Sequence, residues 1–425
     1  MTAAAYAAYL LVAVAMTAIT ATNLRWMAHA WRMPAARDAG RGEALPLRAP
    51  TASFSLLVPA RHEEAVLATT LSRLVALDHP DFEVIVVVGH DDPTTASVAA
   101  SVAAGSPRCS VVADRSWPKT KAKALNAGLS SCRNQVVGVF DAEDDVSLDI
   151  LRQVDDAFDR SGADVVQAGV QLVTPRAGWF AVRNCLEYFV WFHSRLHAHA
   201  ARGFFPLGGN TVFVRRSLLE AVGGWDGDCL AEDCELGIRL AASGARMAVA
   251  CDPTLSTREE TPSTFRSFVR QRTRWNQGYL QTLKSGYWRQ LPTRRQRALA
   301  AYVLAFPLLQ AVAAVIVPFS LLTMVLDSLP LNLALAGIVP ALVSVAVVVV
   351  ESAALRELRR TYHLATGLLD QVRLVATTIP YQLVLSFAAA RAAWRELVGQ
   401  RGWEKTAHLG AHLEPEVQLL GELDL

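Results

Sequence analysis

The chain has 425 residues, which is long for one domain and enough for two or three units with a sizeable core. Hydrophobic residues make up 52% of it and the mean hydropathy is +0.25, both high for a soluble enzyme, and the excess lies near the two ends. The net charge is only +2 and no long block of like charge occurs, so the composition argues against a nucleic-acid partner. A soluble centre between membrane spans is therefore expected.

Three segments are long and apolar enough to cross a bilayer. Residues 1–24, 298–326 and 328–350 contain no charged side chain, and a hydrocarbon core about 30 Å thick needs about 20 apolar residues in a helix. A cleaved signal peptide is the alternative for the first segment. We expect an uncleaved anchor instead, because the nearby arginines follow the segment rather than precede it, at Arg25, Arg32, Arg37 and Arg41.

Positive charge near these segments predicts their orientation. Lys and Arg collect on the cytoplasmic side of short loops, and arginines both follow the first segment and precede the second. Residues 25–297 and the stretch after 351 are therefore expected in the cytoplasm, in an integral protein of the cell membrane or inner membrane. All six cysteines fall in the first of these regions, where thiols stay reduced, and their spacing matches no zinc site.

A fourth apolar run, residues 374–390, allows two interpretations. It has only 17 residues between charges, contains Pro380, and would leave Arg391 and Arg395 outside the cell if it crossed the membrane fully. We therefore prefer an interfacial or re-entrant helix, and a fourth span stays open.

The predicted organisation has six parts. In chain order they are an N-terminal transmembrane anchor (1–33), a linker (34–50), a cytoplasmic α/β domain (51–261), amphipathic interface helices (262–297), a transmembrane hairpin (298–351), and an interface or re-entrant helix, or fourth span, with a cytoplasmic tail (352–425).

The α/β domain begins with short Val-rich runs that alternate with helical patterns. The apolar runs are 54–58, 82–88, 109–113 and 136–140, and the predicted helices are 64–76, 94–104 and 119–130. This alternation is typical of a Rossmann-like, mostly parallel sheet covered on both faces. Ligands of such sheets bind beyond the carboxyl ends of the strands, so the residues after each strand are the candidates for a site.

Acidic residues follow the second and fourth of these strands. Asp91 and Asp92 follow the second, where capping of the next helix is an equally good interpretation. Asp141 and Glu143 follow the fourth, within a run of four acids in five residues. Carboxylates at alternate positions can share one hard divalent cation and so hold a diphosphate beside it. A metal site at Asp141 and Glu143 is therefore preferred over a solvated turn.

Two further stretches suit a bound ligand. Lysines at 119, 121 and 123 cannot all lie on one helix face, so a loop entering a helix is predicted, which is a place where phosphate binds. A solvated basic turn is the alternative there. Gly208 and Gly209 lead with Asn210 into a strand at 211–214, and would let the backbone approach a ligand closely.

A predicted helix opens with Glu232 and Asp233. Acids in the first turn are favoured by the helix dipole, so capping is one interpretation. The same dipole would keep Asp233 ionised, which a general base for a hydroxyl group requires.

Two later segments are rich in aromatic residues. Residues 179–199 contain six of them, for which core packing or membrane contact is preferred over a platform for a sugar. Residues 262–291 mix arginines with aromatics at helical spacing, which suggests a helix on the anionic cytoplasmic leaflet. That segment includes Gln271, Arg274 and Trp275.

With these motifs in this order, the chain resembles the membrane-embedded family 2 glycosyltransferases, a group that includes cellulose synthase and hyaluronan synthase. The motifs are Asp91-Asp92, Asp141-x-Glu143, Glu232-Asp233 and Gln271-x-x-Arg274-Trp275. The resemblance covers residues 50–290 and the flanking spans. It implies an inverting enzyme with a GT-A fold, a nucleotide-sugar donor such as a UDP-sugar, and Mg²⁺ or Mn²⁺ as cofactor.

The resemblance also implies roles for the matching residues. Asp233 would be the base that deprotonates the acceptor. The donor would be bound by Asp91, Asp92, Lys123, Asp141, Glu143 and Arg274, of which Asp141 and Glu143 would hold the metal. The acceptor would contact Gly209, Asn210, Glu232, Gln271 and Trp275. A tail segment looks similar to the family's gating loop, with a solvated tail as the alternative, through Trp403, Lys405 and Thr406.

The sequence departs from the family pattern in two ways. Ala231 stands where the family has a threonine before the two acids, which puts fine positioning in doubt. Three firm spans are also few for a polymer channel. The expected function is transfer to a growing β-linked polysaccharide or glycan at the cytoplasmic face. The alternatives are a single transfer to a lipid carrier and a non-catalytic nucleotide-sugar binding or transport component.

The expected partners follow from that function. They are a nucleotide-sugar donor, a glycan or lipid acceptor and membrane lipid, with a second copy of the chain or an accessory export subunit as further candidates and no nucleic acid.

Overall fold

The computed structural model describes residues 3–32, 49–326, 331–364, 367–402, 404, 410 and 412–413. Three site residues predicted from the tail, and most of the predicted linker 34–50, lie outside this described part. The three are Trp403, Lys405 and Thr406.

Strands and helices alternate through the first half of the chain and helices fill the second. The strands are β1 (Phe54–Ala60), β2 (Phe82–Gly89), β3 (Cys109–Asp114), β4 (Val136–Val139), β5 (Val165–Ala168), β6 (Val170–Leu172), β7 (Val212–Arg215), β8 (Met247–Ala250) and β9 (Thr257–Glu259). The helices before β9 are α1 (Ala3–Met27), α2 (Leu67–Val75), α3 (Pro93–Gly105), α4 (Lys121–Leu129), α5 (Ile150–Ser161), α6 (Ala181–Val190), α7 (Leu196–Ala200), α8 (Arg216–Ala221) and α9 (Glu232–Ala242). Those after β9 are α10 (Phe265–Ser285), α11 (Arg294–Leu326), α12 (Leu331–Tyr362), α13 (Leu368–Ala376) and α14 (Thr378–Leu397).

Seven of the strands form one sheet in the order β3-β2-β1-β4-β7-β5-β8. Strand β7 is antiparallel to both of its neighbours, and the other neighbouring pairs are parallel. The prediction of a mostly parallel α/β sheet is confirmed. Strands β6 and β9 pair separately, in parallel.

The Val-rich runs form strands because both faces of the sheet are covered. Alternate residues of β1 face opposite layers: Leu56 packs with α2 and α5, whereas Leu57 packs with α4. Both side chains are fully buried. A strand buried on both faces reads as a continuous apolar run, and this explains why these strands were predictable.

The antiparallel strand β7 determines where the glycine turn lies. Val212 of β7 pairs with Val139 of β4, so the start of β7 lies beside the end of β4. The backbone N–H of Thr211 donates to the carbonyl of Val139 at 2.7 Å. Gly209 and Asn210 are thereby held next to the acidic run that begins at Asp141.

Among the described residues, three helices are long and apolar enough to cross a membrane. The qualifying segments are Tyr9–Met27, Arg294–Ala313 and Ile338–Tyr362. Helices α13 and α14 are bent by 52° at a short break and together would make a fourth span or a re-entrant loop, so both interpretations of 374–390 stay open.

The apolar helices are packed onto the α/β domain. Trp26 of α1 is buried with Phe204 and with Leu299 of α11. Met27 is buried with Leu186 of α6 and with residues of α12. Helix α10 packs against both α11 and α14. Part of its basic and aromatic middle therefore faces other helices, and the predicted contact with the membrane surface stays a prediction.

The contact of α10 with the start of α9 requires a glycine, and this gives a first prediction. A Cβ on Gly278 would lie 2.4 Å from both the Cβ and the backbone nitrogen of Ala231. Overpacking of this kind costs about 1–3 kcal/mol, so Gly278→Ala should lower the melting temperature by roughly 2 °C or more. Gly105→Ala is the matched control, because a Cβ there has nothing within 4 Å. Equal melting temperatures for the two variants, in differential scanning fluorimetry, would show that the contact is absent.

Candidate active site

A cavity of about 540 Å³ begins at the carboxyl ends of β1, β2 and β4 and continues between α1, α11 and α12. Its lining brings together most of the residues that the sequence singled out. They are Asp141, Glu143, Gly209, Asn210, Glu232, Asp233, Gln271, Arg274 and Trp275. Motifs more than 130 residues apart along the chain therefore share one site.

Lys121 lies where the acidic residues of this cavity converge. The side chain of Thr120 caps α4, which makes Lys121 the first helical residue. Its ammonium group contacts the Asp141 carboxylate and donates to the Gly209 carbonyl at 2.9 Å. Burial by itself would lower the pKa of Lys121, but the carboxylates of Asp141, Glu232 and Asp233 outweigh burial and raise it.

Lys123, which the family resemblance placed near the donor, points elsewhere. Its Nζ lies 3.5 Å from the exposed carboxylate of Asp228, and it is not among the residues that line the cavity. Two residues along a helix correspond to a rotation of about 200°, so Lys121 and Lys123 face opposite sides of α4. Sequence spacing could not show which lysine faces inward, because this depends on where the cap lies.

The acidic run after β4 is folded back on itself. Asp144 accepts the backbone N–H of Asp141 at 2.8 Å and the side-chain amide of Asn210 at 2.9 Å. Glu143 is buried, and burial, Asp141 and Glu63 raise its pKa well above the usual value of a glutamate. Lys121 opposes this shift but does not cancel it. Burial and the neighbouring carboxylates together therefore disfavour the charged form of Glu143.

Asp91 and Asp92, predicted to bind the donor, are not among the residues that line the cavity, and they differ from each other. Asp91 forms a two-pronged ion pair with Arg61, with both distances 2.9 Å. The hydrogen bond from Arg61 holds the pKa of Asp91 well below its usual range. Asp92 caps α3 by accepting the N–H of Thr95 at 3.3 Å, and it also accepts the N–H of His62 at 2.6 Å. Helix capping, one of the two interpretations from sequence, is therefore what Asp92 does.

At this end of the cavity, sequence reasoning missed Asp114, whereas Lys119 already belonged to the predicted phosphate-binding loop. Arg61, Asp114 and Lys119 all line the cavity, and Lys119 bonds the Asp114 carboxylate at 3.2 Å. Asp114 directly follows the predicted strand 109–113. Inspecting the end of every strand, including this one, would have found it.

Glu232 and Asp233 open α9, as predicted, and both are deep in the cavity. Burial, followed by the charge of Asp233, raises the pKa of Glu232 to about 7. Burial also raises the pKa of Asp233, although its carboxylate accepts the N–H of Cys234 at 2.7 Å. Burial thus acts against the ionisation that the helix dipole was expected to favour, and the role of Asp233 as a base stays a prediction. A raised pKa makes Asp233 a stronger base.

Gly209 faces this pair of acids closely. A Cβ there would lie 3.3 Å from Asp233 Oδ2 and 3.5 Å from Lys121 Nζ. A larger residue would push these two side chains apart or block access to them.

The arginines of α10 divide into two roles. Arg272 bonds Asn184 and Glu187 of α6, and its guanidinium lies 4.9 Å from the centre of the Trp275 ring. It thereby fixes the indole at the cavity wall. Arg274 lines the cavity, and its charge opposes the raised pKa values of Glu232 and Asp233.

A family model described as "Glycosyltransferase like family 2" matches residues 50–278, which is more than half of the chain. The chain belongs to this family of glycosyltransferases. The family predicted from the motifs is therefore confirmed at this level, and the narrower cellulose synthase or hyaluronan synthase type stays a prediction.

Two relatives of this glycosyltransferase have different products in their names. The beta-monoglucosyldiacylglycerol synthase of Trichormus variabilis is 27% identical over 373 residues, which span 84% of this chain and 76% of the relative. The poly-beta-1,6-N-acetyl-D-glucosamine synthase of Staphylococcus epidermidis is 22% identical over 254 residues, which span 60% of each.

A solved structure shares the fold of the glycosyltransferase. It is the mannosyltransferase PcManGT from Pyrobaculum calidifontis, in complex with GDP-Man and Mn²⁺, with a TM-score of 0.58 at 19% identity. The alignment spans 92% of this chain and 99% of that one. The predicted GT-A fold is confirmed.

The pKa of Glu232 gives a prediction for stability. The pKa of Glu232 is higher in the folded than in the unfolded protein. Ionisation of this group therefore lowers the stability of the folded state as pH rises from the unfolded pKa of 4.5 to the folded pKa of about 7. Glu232→Gln removes the ionisation. Its melting temperature relative to the unsubstituted protein should therefore increase between about pH 5 and 7 and level off above. A difference that stays constant over this range in buffered thermal melts would contradict the assignment.

The two lysines of α4 give a prediction for activity. Lys121→Met leaves Asp141, Glu232 and Asp233 without their shared cation, and a buried bond to a charged group is worth about 1.5–3 kcal/mol. The glycosyltransferase should lose roughly tenfold or more in kcat/KM, measured by release of nucleoside diphosphate. Lys123→Met should stay within about twofold, because exposed ion pairs contribute little. A larger loss of kcat/KM in Lys123→Met than in Lys121→Met would assign the donor-binding role to Lys123.

Proposed function

We propose that this glycosyltransferase transfers one sugar from a nucleotide-sugar donor to a lipid acceptor held at the membrane side of its cavity. One observation carries the proposal: the same cavity that contains Asp141 and Asp233 is also lined by Asn23 of α1, Phe306 of α11 and Val347 of α12. An acceptor can therefore reach the acids from between helices that are apolar enough to span a bilayer.

The relatives support a lipid acceptor over a polymer. The relative whose name specifies a glucosylated diacylglycerol matches 84% of this chain, and the one whose name specifies a polysaccharide matches 60%. Extension of a polysaccharide, the function first expected from the sequence, is the second candidate. The second relative and the indole of Trp275 in the cavity wall support it.

Asp233 is the proposed base. It takes the proton from the acceptor hydroxyl as the oxygen attacks the anomeric carbon, and the bond from that carbon to the diphosphate breaks with inversion. The proton ends on Asp233 and the electron pair leaves with the nucleoside diphosphate. Lys121 and Arg274, whose charges act on Asp233, would stabilise the anionic groups that develop.

The donor would lie along the strand ends. Arg61, Asp114 and Lys119, together with Asp91 and the capped Asp92, would surround the nucleotide at the rim of the cavity. The acceptor would contact Gly209, Asn210, Glu232, Gln271 and Trp275 further in. The catalytic domain would face the cytoplasm, where nucleotide sugars are made.

Asp141 and Glu143 are the residues that would hold Mg²⁺ or Mn²⁺. Within the described residues no group of three or more His, Cys, Asp and Glu side chains is arranged as a metal site, so the donor diphosphate would supply further oxygens. The residues fit a divalent cation, because the carboxylates of Asp141 and Glu143 line the same cavity and are oxygen ligands of the kind that such ions prefer. When bound, the ion would offset charge on the departing diphosphate.

The base assignment is tested by Asp233→Asn. Loss of the proton acceptor should reduce transfer by about 10²–10⁴-fold, with little change in the binding of donor. The measurement is release of nucleoside diphosphate in lipid vesicles with Mn²⁺ over a panel of UDP- and GDP-sugars. Asp228→Asn is the control, since its side chain is 81% exposed and lies outside the cavity. Full turnover by Asp233→Asn would mean that another residue is the base.

A further inference from the structure

Four polar atoms in the membrane-side part of the cavity have no hydrogen-bond partner. They are Nε of Arg195, both ring nitrogens of His199 and the hydroxyl of Tyr302, each buried and unpartnered within the described part of the chain. All three residues line the cavity. Buried polar atoms without partners are costly, and a cluster of them at one place is where a polar ligand or ordered water would bind.

The three residues come from separate segments that meet at the base of α1. Arg195 ends a π-helical turn, Trp191–Arg195, between α6 and α7, and such turns often occur at functional sites. The His199 ring is held edge-on by Trp26 of α1, with ring centres 4.6 Å apart, and Trp26 also contacts the Tyr302 ring of α11. Trp26 therefore packs against two of the three side chains of the cluster.

Arg195 differs from the neighbouring arginines of the cavity in its ion pairing. The neighbouring arginines are already paired, Arg183 with Glu351 at 3.2 Å and Arg272 with Glu187. Arg195 has no hydrogen bond or ion pair to any described residue. Three arginines against two glutamates leave one positive charge, and it belongs to the side chain without a partner.

The cluster is separate from the acids of the catalytic end. The charged and phenolic groups that act on Arg195 are Glu187, Glu351 and Tyr302, whereas Asp141, Glu232 and Asp233 act on Lys121. Burial lowers the pKa of His199 to about 3, so its ring is neutral near pH 7 and can donate one N–H. All three side chains can therefore donate hydrogen bonds, and the group that they would bind is an acceptor that carries negative charge.

We propose that Arg195, His199 and Tyr302 bind the phosphate of an anionic phospholipid, which is the acceptor whose headgroup hydroxyl Asp233 deprotonates. A phosphate has only acceptor oxygens and balances the charge of Arg195, while the acyl chains would extend between α1, α11 and α12. The inference rests on the proposed transfer to lipid. It narrows the class of acceptor from membrane lipids in general to lipids that carry a phosphate.

The test compares acceptors and variants in neutral detergent micelles. Phosphatidylglycerol and diacylglycerol are supplied separately, and glycolipid is measured by mass spectrometry. The unsubstituted protein should glycosylate phosphatidylglycerol in preference to diacylglycerol. Arg195→Gln should raise the KM for phosphatidylglycerol at least tenfold with a smaller change in kcat, and Arg195→Lys should restore part of the loss.

A matched control and a binding measurement accompany the kinetics. Arg202→Gln removes a nearby guanidinium that bonds the Ala198 carbonyl and does not line the cavity, and should leave the KM unchanged. Native mass spectrometry should show phosphatidylglycerol retained by the unsubstituted protein and lost from Arg195→Gln. Because Arg195 has no partner, Arg195→Gln should not lower the melting temperature, whereas loss of a merely structural arginine would.

Three results would overturn the proposal. Equal use of diacylglycerol and phosphatidylglycerol, with an unchanged KM in Arg195→Gln, would show that the cluster does not recognise a phosphate. The proposed glycosyltransferase activity would be unaffected by that result. Inhibition by soluble glycerol 3-phosphate at the concentrations at which phosphatidylglycerol acts would assign the cluster to a free phosphate compound. Retention of phosphatidylglycerol by Arg195→Gln equal to that of the unsubstituted protein would also reject it. If no protein releases nucleoside diphosphate from any donor, the proposed function itself fails.

Discussion

The contact between Lys121 and Asp141 is the interaction on which the rest of the site depends. It joins the start of α4 to the end of β4, and the same ammonium group reaches the Gly209 carbonyl before β7. Glu232 and Asp233 add their charge to the same buried lysine. Several carboxylates can be buried together only because a cation is buried with them. The sheet order makes this possible, since the antiparallel β7 places its first residues beside the end of β4.

The two ends of the cavity differ in charge. Acidic residues cluster near the strand ends, and Arg195 lies near the apolar helices. Near the strand ends, the carboxylates of Asp141 and Glu143 line the cavity, which suits the proposed site for a divalent cation and a diphosphate. Near the apolar helices, Arg195 has no hydrogen-bond partner at Nε among the described residues. Asp233 lines the same cavity as both groups of residues, so a donor bound near the strand ends and an acceptor bound near the apolar helices would meet at the proposed base. The cavity thus suits the two substrates of the proposed reaction, a water-soluble donor and a membrane lipid.

The fold was largely predictable because its determinants are local. The strands buried on both faces read as continuous Val-rich runs, and the three apolar helices read as uncharged segments. The acids after β4 and at the start of α9 were found because they follow elements that could be placed. The orientation of the lysines could not be found in this way, since one capping residue decides whether position 121 or 123 faces inward. Arg195, His199 and Tyr302 carry no motif, and become a cluster only when α1 and α11 pack against the π-helical turn.

The central claim is that the cavity holds a membrane lipid within reach of Asp233. It can be tested by replacing Phe306, which lines the cavity from α11, with a photoreactive amino acid in protein reconstituted into vesicles. Illumination should attach a lipid to that position, and prior incubation with a nucleotide sugar should add the mass of one sugar to the attached lipid. Attachment of a glycan ladder, or of no lipid at all, would contradict the account.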